Sequence, residues 1–386
     1  MEVKQIAQVI NTISGEILGR TDLVNEDLSN IVDAGDQIFR ADAVDNYVRK
    51  LVDQIGRMVF VDRVYRGSAP SVLMDGWEFG SVLEKVSVDL PDAEENESFE
   101  LEAFTSYDPN IFYKAKVSAK FFNSRTTFEV PMSFAYKQVR ESFTSALQMN
   151  AFFSMLYVAV ENSMTVKLDS LIMRTITNFI GETIYSEFTT ANYGEASGVR
   201  AVNLLKLFKD SNPGNENLTP VEAIKEPEFI RFASYTMGLY VDRLRVMSTL
   251  FNIGGMERFT PTDRLHAVLL SDFEKAASVY LQSDTFHEMY TRLPNAETVP
   301  YWQAPGTGYG FDDVSKIKVK TTGGHTVEVG GILGFFFDRD ALGVSNMDRR
   351  TTTNWNPKAE FYTNWAKMDA GYFNDFNEQG VVFFAA

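Results

Sequence analysis

The chain of 386 residues contains no cysteine and only three histidines. Without cysteine, disulfide bonds, cysteine-based zinc sites and cysteine nucleophiles are excluded. The histidines are His266, His287 and His325, and no two of them have the spacing of metal ligands on one element. A catalytic triad with histidine would have to be assembled by tertiary folding, so a core or surface role is the better interpretation for each. We predict no metal, no cofactor and no enzymatic activity.

The motifs of nucleotide-binding and membrane-spanning proteins are missing as well. No Walker A sequence occurs, and the GTGYG stretch at 306–310 lacks the strand–turn–helix frame of a dinucleotide site, so we interpret it as a loop. The most apolar stretch, 151–160, is about half as long as the roughly 20 residues of a membrane-spanning helix. The first residues, MEVKQI, do not resemble a signal peptide. These absences predict a soluble protein made in the cytoplasm.

Basic residues are scarce, since 36 Lys and Arg stand against 52 Asp and Glu, which gives a net charge of -16. Such a chain has no general basic surface for nucleic acid or for anionic membranes. A surface of this sign would repel DNA rather than trap it, and could serve a protein that must not retain the polymer. Solubility explains the charge equally well, and both interpretations stay open.

Aromatic residues are abundant, with 31 Phe and 16 Tyr in a chain that is 45% hydrophobic and 23% charged. This mixture is typical of a folded globular protein. Aromatic side chains dominate interface energetics, so part of the surplus is predicted to pack against other chains.

The first third of the chain predicts helices followed by a long hairpin. Isoleucines at 6, 10, 13 and 17 form one apolar stripe, which indicates helical segments within residues 1–60. Residues 82–90 and 113–121 both alternate in the manner of strands, and the second carries lysines on one face. The stretch between them begins with an acidic, turn-rich run at 89–97. We predict a β-hairpin with an acidic tip, either reaching over a neighbouring subunit or packed on its own core.

The rest of the chain predicts a long helix and then mixed elements. Residues 133–182 lack interior proline and glycine, which predicts one very long helix between Pro131 and Gly181, or two with a break near Asn150. Beyond residue 191 the patterns predict the following elements: helices at 226–251 and 272–281, a strand at 267–270, a strand at 327–337 with a bulge at Gly330 and Gly331, and strands within 360–384.

Two charged stretches could bind cations. Asp338 and Asp340 would share a face of a strand and could hold a hard metal, but Arg339, Arg349 and Arg350 are close in sequence and favour ion pairing. The acidic tip lacks EF-hand spacing, so a solvated charge run is the better interpretation.

Several segments of the sequence resemble the major capsid proteins of tailed bacteriophages. They are the run GILGFFFDRDALGV at 331–344, NPKAEF at 356–361, DAGY at 369–372, KQVRESFT at 137–144 and TVKLD at 165–169. The order of predicted elements is similar too, so the resemblance covers essentially the whole chain. It implies an α+β protein with the Hong Kong-type capsid fold.

The resemblance implies a role for each region. They are an N-terminal arm at 1–70, an extended β-hairpin loop at 71–130, a peripheral domain with the spine helix at 131–190, an axial domain at 191–350, and C-terminal strands at 351–386 that return to the peripheral domain. Subunits of this family assemble as hexamers and pentamers into an icosahedral head around double-stranded DNA, bound without sequence specificity. We therefore expect a virion protein made in the host bacterial cytoplasm.

Partners and contacts follow as expectations from the same resemblance. The region before the hairpin is short, which favours a separate scaffolding protein, and a portal and a decoration protein are further expected partners. Candidate intersubunit contacts lie in the hairpin and in the 338–340 stretch: Asp92, Glu94, Glu95, Glu97, Lys114, Lys116, Lys120, Asp338, Arg339 and Asp340. Two alternatives remain, an encapsulin-like compartment around protein cargo and, more remotely, a soluble enzyme with an unrecognised carboxylate site.

Overall fold

The structure, a computed structural model, describes residues 63–74, 83–91, 110–135, 146–188, 193–282, 296–303 and 308–386, with the single positions 11, 25 and 93. The chain divides into two compact units. One comprises Met1–Val64, Met132–Asn162 and Thr353–Asn364, and the other comprises Tyr65–Pro131, Ser163–Thr352 and Trp365–Ala386. The helical segments predicted within residues 1–60 lie outside the described residues, except that Asn11 is helical.

The described residues form both helices and strands. The helices are α1 (Ala146–Glu187), α2 (Leu204–Ser211), α3 (Pro220–Ala223), α4 (Pro227–Leu244), α5 (Ser271–Gln282) and α6 (Phe311–Val314). The strands are β1 (Leu73–Met74), β2 (Leu83–Val88), β3 (Val117–Phe122), β4 (Arg125–Ala135), β5 (Ala201–Asn203), β6 (Leu265–Leu270), β7 (Ala296–Val299), β8 (Ile317–Lys320), β9 (Thr326–Val329), β10 (Ile332–Asp338), β11 (Leu342–Asn356), β12 (Phe361–Asn374) and β13 (Gly380–Phe384).

The core of the larger unit is a five-stranded mixed sheet in the order β5-β13-β10-β6-β7. Strands β10 and β13 are buried along their whole length because both faces of the sheet are covered. On one face, Phe335 and Phe337 pack with residues of α1 such as Phe179. On the other face, Phe336 packs with residues of α2, α4 and α5. The sequences of β10 and β13 are accordingly almost continuous apolar runs, as expected for a sheet buried on both faces.

A second sheet has the order β1-β11-β12-β4, with β1 parallel to β11. The segment that leads into β1 is fastened to α1, since the Asp169 carboxylate accepts hydrogen bonds from the Tyr65 hydroxyl at 2.9 Å and from the Ser68 backbone N–H at 2.8 Å. The backbone N–H of Ser71 donates to the Glu297 carboxylate at 2.9 Å. In the described part of the chain, no helix has the length and apolar composition to cross a membrane.

The predicted long helix exists, but both predicted ends are wrong. Residues 131–135 belong to strand β4, and α1 continues past Gly181 to Glu187 without a break at Asn150. Gly181 is needed for packing, because a Cβ atom there would lie 2.2 Å from Cγ2 of Val319. In the sequence, a glycine that lets a strand pack closely against a helix cannot be distinguished from a glycine that ends a helix.

The apolar run at 327–337 is two strands rather than one strand with a bulge. Strand β9 pairs with β8, whereas β10 pairs with β6 and β13, and the chain changes direction at Gly331, whose φ is +73°. The helix predicted at 226–251 ends earlier, at Leu244. The strand at 267–270, the helix at 272–281 and the strands within 360–384 are confirmed.

Candidate functional site

The predicted hairpin is formed by β2 and β3, which pair antiparallel from Leu83 opposite Phe122 to Val88 opposite Val117. One further hydrogen bond, from the backbone N–H of Asp89 to the carbonyl of Lys116, extends the pairing. The strand predicted over residues 113–121 is thus correct only from Val117 onwards, because residues 111–116 lie outside any strand and are exposed. A two-stranded hairpin has marginal stability by itself, so its contacts decide where it lies.

One face of the hairpin is turned towards its own chain. Leu83, Lys85 and Ser87 alternate as half-buried residues along β2, and Lys120 and Phe122 are their half-buried counterparts on β3. At the base of the hairpin, the ring of Phe122 lies 5.0 Å from that of Phe373 in β12. The hairpin therefore rests on its own subunit through a face that is largely polar and basic.

The opposite face points to solvent and is apolar except for Glu84, which pairs with Phe121. It carries Val86, Val88, Val117 and Phe121, each more than half exposed. Leu90, Ile111, Phe112 and Tyr113, next to the paired strands in sequence, are also more than half exposed, with Phe112 at 86% and Tyr113 at 79%. We call these eight residues the outer face of the hairpin. Exposed apolar residues in such number are typical of interaction surfaces, because leaving them in water is unfavourable.

The inward face carries two lysines that bind a pair of carboxylates between β12 and β13. The ammonium of Lys85 lies 2.8 Å from Asp375 and 2.7 Å from Glu378, and that of Lys120 lies 3.0 Å from Asp375. Burial alone would raise the pKa of the Asp375 carboxyl, but the hydrogen bonds and charges of the two lysines outweigh burial and hold that pKa below its usual range. The pKa of Lys85 is raised for the matching reason, because its two carboxylate partners outweigh its burial.

The sequence-predicted hairpin residues have different positions. Asp92, Glu94, Glu95 and Glu97 lie outside the described residues. Lys114 and Lys116 are exposed beside the outer face, where they are free to contact another chain. Lys120 points inward and is bound to Asp375 of its own subunit. Sequence reasoning missed Asp375 and Glu378, and the available signal was the acidic run DFNE at 375–378, inside the region 360–384 for which strands were predicted.

The 338–340 stretch does not form the strand face that was predicted for it. Asp338 ends β10, whereas Arg339 and Asp340 lie in the following turn. Asp338 is 5% exposed and accepts a hydrogen bond from the Asp340 backbone N–H, and burial raises the pKa of its carboxyl. Asp340 forms an ion pair with Arg264 at 2.9 Å. Within the described ranges, no group of three or more acidic or histidine side chains is arranged to hold a metal ion.

The two described histidines pack against aromatic rings. His266 stacks on Phe337 with ring centroids 5.5 Å apart, and burial lowers its pKa. His325 stacks on Tyr185 at 4.8 Å. Both arrangements fit structural roles. His287 lies outside the described residues.

Comparison with known proteins gives one family and one fold. The family model of Phi29-like phage major capsid protein matches residues 6–384. A chain of the capsid structure of Staphylococcus phage Andhra is 7% identical, with a TM-score of 0.51, and the match covers 86% of this chain and 87% of that chain. A chain of the structure of head fiber and inner core protein gp22 of native bacteriophage P68 is 9% identical, with a TM-score of 0.53 and coverage of 86% and 88%. No curated protein sequence matches the chain significantly.

At these identities the two solved structures show the fold alone, and they confirm the predicted α+β capsid fold of the Hong Kong type. The family match covers nearly the whole chain and shows the role of the protein. It is a structural protein of the phage virion, with contacts rather than a catalytic centre as its functional surface. The chain belongs to the Phi29-like phage major capsid protein family.

Proposed function

We propose that this capsid protein assembles as hexamers and pentamers into an icosahedral head that encloses double-stranded DNA, and that each β2–β3 hairpin lies over a neighbouring subunit. The observation that carries the proposal is the orientation of the hairpin, whose apolar face is outward and whose basic face is inward. In a free subunit this arrangement is unfavourable, because apolar area stays in water. Contact with a second copy would bury that area and stabilise the assembly by about 25 cal/mol per Å².

The domain roles implied by the sequence belong to the same proposal. The arm comprises residues 1–70, the extended loop 71–130, the peripheral domain 131–190 with the strands at 351–386, and the axial domain 191–350. A scaffolding protein, a portal and a decoration protein are the proposed partners. The net charge of -16 supports a shell that holds DNA without binding its sequence, since an acidic wall forms few phosphate contacts.

The test compares two double variants. Each replaces two exposed valines with serine, but at different places on the subunit. Val86→Ser with Val88→Ser alters the outer face, whereas Val166→Ser with Val279→Ser alters exposed valines on α1 and α5. All four valines are at least half exposed, so neither variant creates a cavity in the core. Assembly of the purified subunit, with scaffolding protein where required, is followed by sedimentation and electron microscopy.

We expect the hairpin variant to need a subunit concentration roughly tenfold higher or more for assembly. Full burial of a valine contributes about 1.5–3 kcal/mol, and roughly half of each side chain is left to bury, so the pair contributes about 1.5–3 kcal/mol. The control should assemble close to the wild-type concentration. Image reconstruction should give icosahedral particles with both hexamers and pentamers, and particles from infected cells should hold nuclease-protected DNA. Equal assembly of the hairpin variant and the wild type would contradict the role given to the outer face.

A further inference from the structure

Two lysines of the hairpin stand directly opposite each other. Lys85 of β2 and Lys120 of β3 are register partners in the antiparallel pair. Side chains in such positions are about 5 Å apart at their Cβ atoms, and like charges placed there destabilise the pairing. The hairpin therefore contains an internal repulsion that its own two strands cannot relieve.

Asp375 accepts hydrogen bonds from both of these lysines. Its Oδ2 binds Lys85 Nζ at 2.8 Å and its Oδ1 binds Lys120 Nζ at 3.0 Å, so one carboxylate bridges the two strands. The side chain of Asp375 is 3% exposed, and those of Lys85 and Lys120 are 24% and 42% exposed. At this degree of burial the interaction is less screened by salt than a surface ion pair is. Glu378 adds a second carboxylate on Lys85.

Asp375 itself is held rigidly in the turn between β12 and β13. Its backbone N–H donates to the carbonyl of Ala341 at 2.6 Å, and its Oδ1 accepts the backbone N–H of Asn377 at 3.1 Å. On the hairpin side, Lys85 Nζ also donates to the carbonyl of Asp340 at 3.2 Å. The turn therefore fixes the position of the Asp375 carboxylate, and the hairpin strands lie where their two lysines can bind it.

We propose that Asp375 is a positioning residue for assembly, which neutralises the opposed lysines of the hairpin and so fixes the direction in which the outer face is presented to a neighbouring subunit. This inference rests on the proposed function, because the direction matters only if the outer face binds a second copy. It assigns the inward face a role distinct from that of the outer face. The outer face supplies contact area. The ion cluster, which consists of Lys85, Lys120, Asp375 and Glu378, fixes the direction of the hairpin.

The test measures the hairpin in the unassembled full-length subunit, by hydrogen exchange at the amides of β2 and β3. Asp375→Asn keeps the shape of the side chain and an oxygen for the Asn377 N–H, but it removes the charge. We expect exchange in both strands to accelerate roughly tenfold or more, because hydrogen bonds to charged groups are the stronger ones. Exchange in the buried strands β10 and β13 should stay at the wild-type rate.

Two further variants separate positioning from simple loss of stability. Asp369→Asn removes a carboxylate that lies on β12, six residues before Asp375, and is paired with Arg350, and it should leave hairpin exchange unchanged. Adding Lys120→Gln to Asp375→Asn removes the opposed charge and should return exchange towards the wild-type rate. If Asp375 acted only by stabilising the turn, removing the charge of Lys120 would not restore the exchange rate of the hairpin.

Assembly provides the second readout. Asp375→Asn should give particles of mixed curvature or incomplete shells, and the rescued double variant should restore the wild-type size distribution. Wild-type exchange rates in Asp375→Asn would overturn the inference even if the protein forms shells. Failure of the wild-type protein to form hexamers and pentamers would contradict the proposed function, while the exchange data on free subunits would still test the ion cluster.

Discussion

Two adjacent glycines should respond in opposite ways to the same substitution. Gly331 has a φ of +73°, and a Cβ atom there would lie 1.9 Å from the carbonyl oxygen of Ala385. Gly330 has no positive φ, and a Cβ atom there would meet no heavy atom within 4 Å. The substitutions Gly331→Ala and Gly330→Ala add the same methyl group one residue apart, so each is the control for the other.

The magnitudes follow from backbone strain and overpacking. Alanine in the left-handed region costs about 1–2 kcal/mol. Overpacking a filled site costs about 1–3 kcal/mol, so Gly331→Ala should destabilise the subunit by about 2–5 kcal/mol in total. The backbone cannot shift to relieve the contact without loss of two hydrogen bonds, from the Gly331 N–H to Ser315 Oγ and from the Ala385 N–H to the Gly331 carbonyl. Gly330→Ala should stabilise by about 0.4–1 kcal/mol, because it restricts the unfolded chain.

Denaturant unfolding of the unassembled subunit measures both effects. Trp302 is a suitable fluorescent reporter, because it is fully buried and its indole N–H donates to the carbonyl of Ile332 at 2.9 Å, one residue beyond the substitution. The midpoint for Gly331→Ala should fall well below that of Gly330→Ala. Equal midpoints would refute the argument that the left-handed turn and the approach of Ala385 require glycine at 331.

Two further predictions concern side chains that fasten loops to the larger unit. Because the two hairpin lysines hold the pKa of Asp375 below its ordinary 3.8, its stabilising effect should be complete above about pH 4 and be lost as the pH falls through that lowered pKa. The difference in unfolding free energy between wild type and Asp375→Asn should therefore be constant from pH 7 to about 4 and shrink below it. Asp169→Ala removes the acceptor for Tyr65 and Ser68, which should cost about 1–2 kcal/mol and accelerate exchange of the Ser68 amide. Lys167→Ala, on the exposed side of the same helix, is the control, and an equal effect of both variants would contradict the fastening role.

The sequence predicted the elements whose residues follow a local period. Strand β2 and helix α5 were found from alternation and from helical spacing, β6 was found from a short apolar run, and the family resemblance identified the fold. Errors arose where one residue type serves two purposes. Gly181 was taken as a helix end but permits close packing, and Gly331 was taken as a bulge but separates two strands.

The ion cluster under the hairpin was beyond sequence reasoning for a different reason. Lys85 and Asp375 are 290 positions apart, and only the completed sheet brings them together. The spacing of Lys114, Lys116 and Lys120 did indicate a basic face, but it could not indicate that Lys120 turns inward. Which face of a two-sided strand is buried depends on the tertiary partner rather than on the strand itself.

The order of strands in the five-stranded sheet has a consequence for synthesis on the ribosome. Strand β13 lies between β5 and β10, so residues 201–203 lack any strand partner, and residues 332–338 have β6 on one side only, until residues 380–384 have emerged. At about 5–20 residues per second, β5 waits roughly 10–35 s for its neighbour. During that interval β5 stays unpaired, and at its end the free edge of β10 is exposed as well, and such edges are templates for aggregation. The central sheet is therefore completed last, and only subunits translated through β13 can enter a growing shell in their final form.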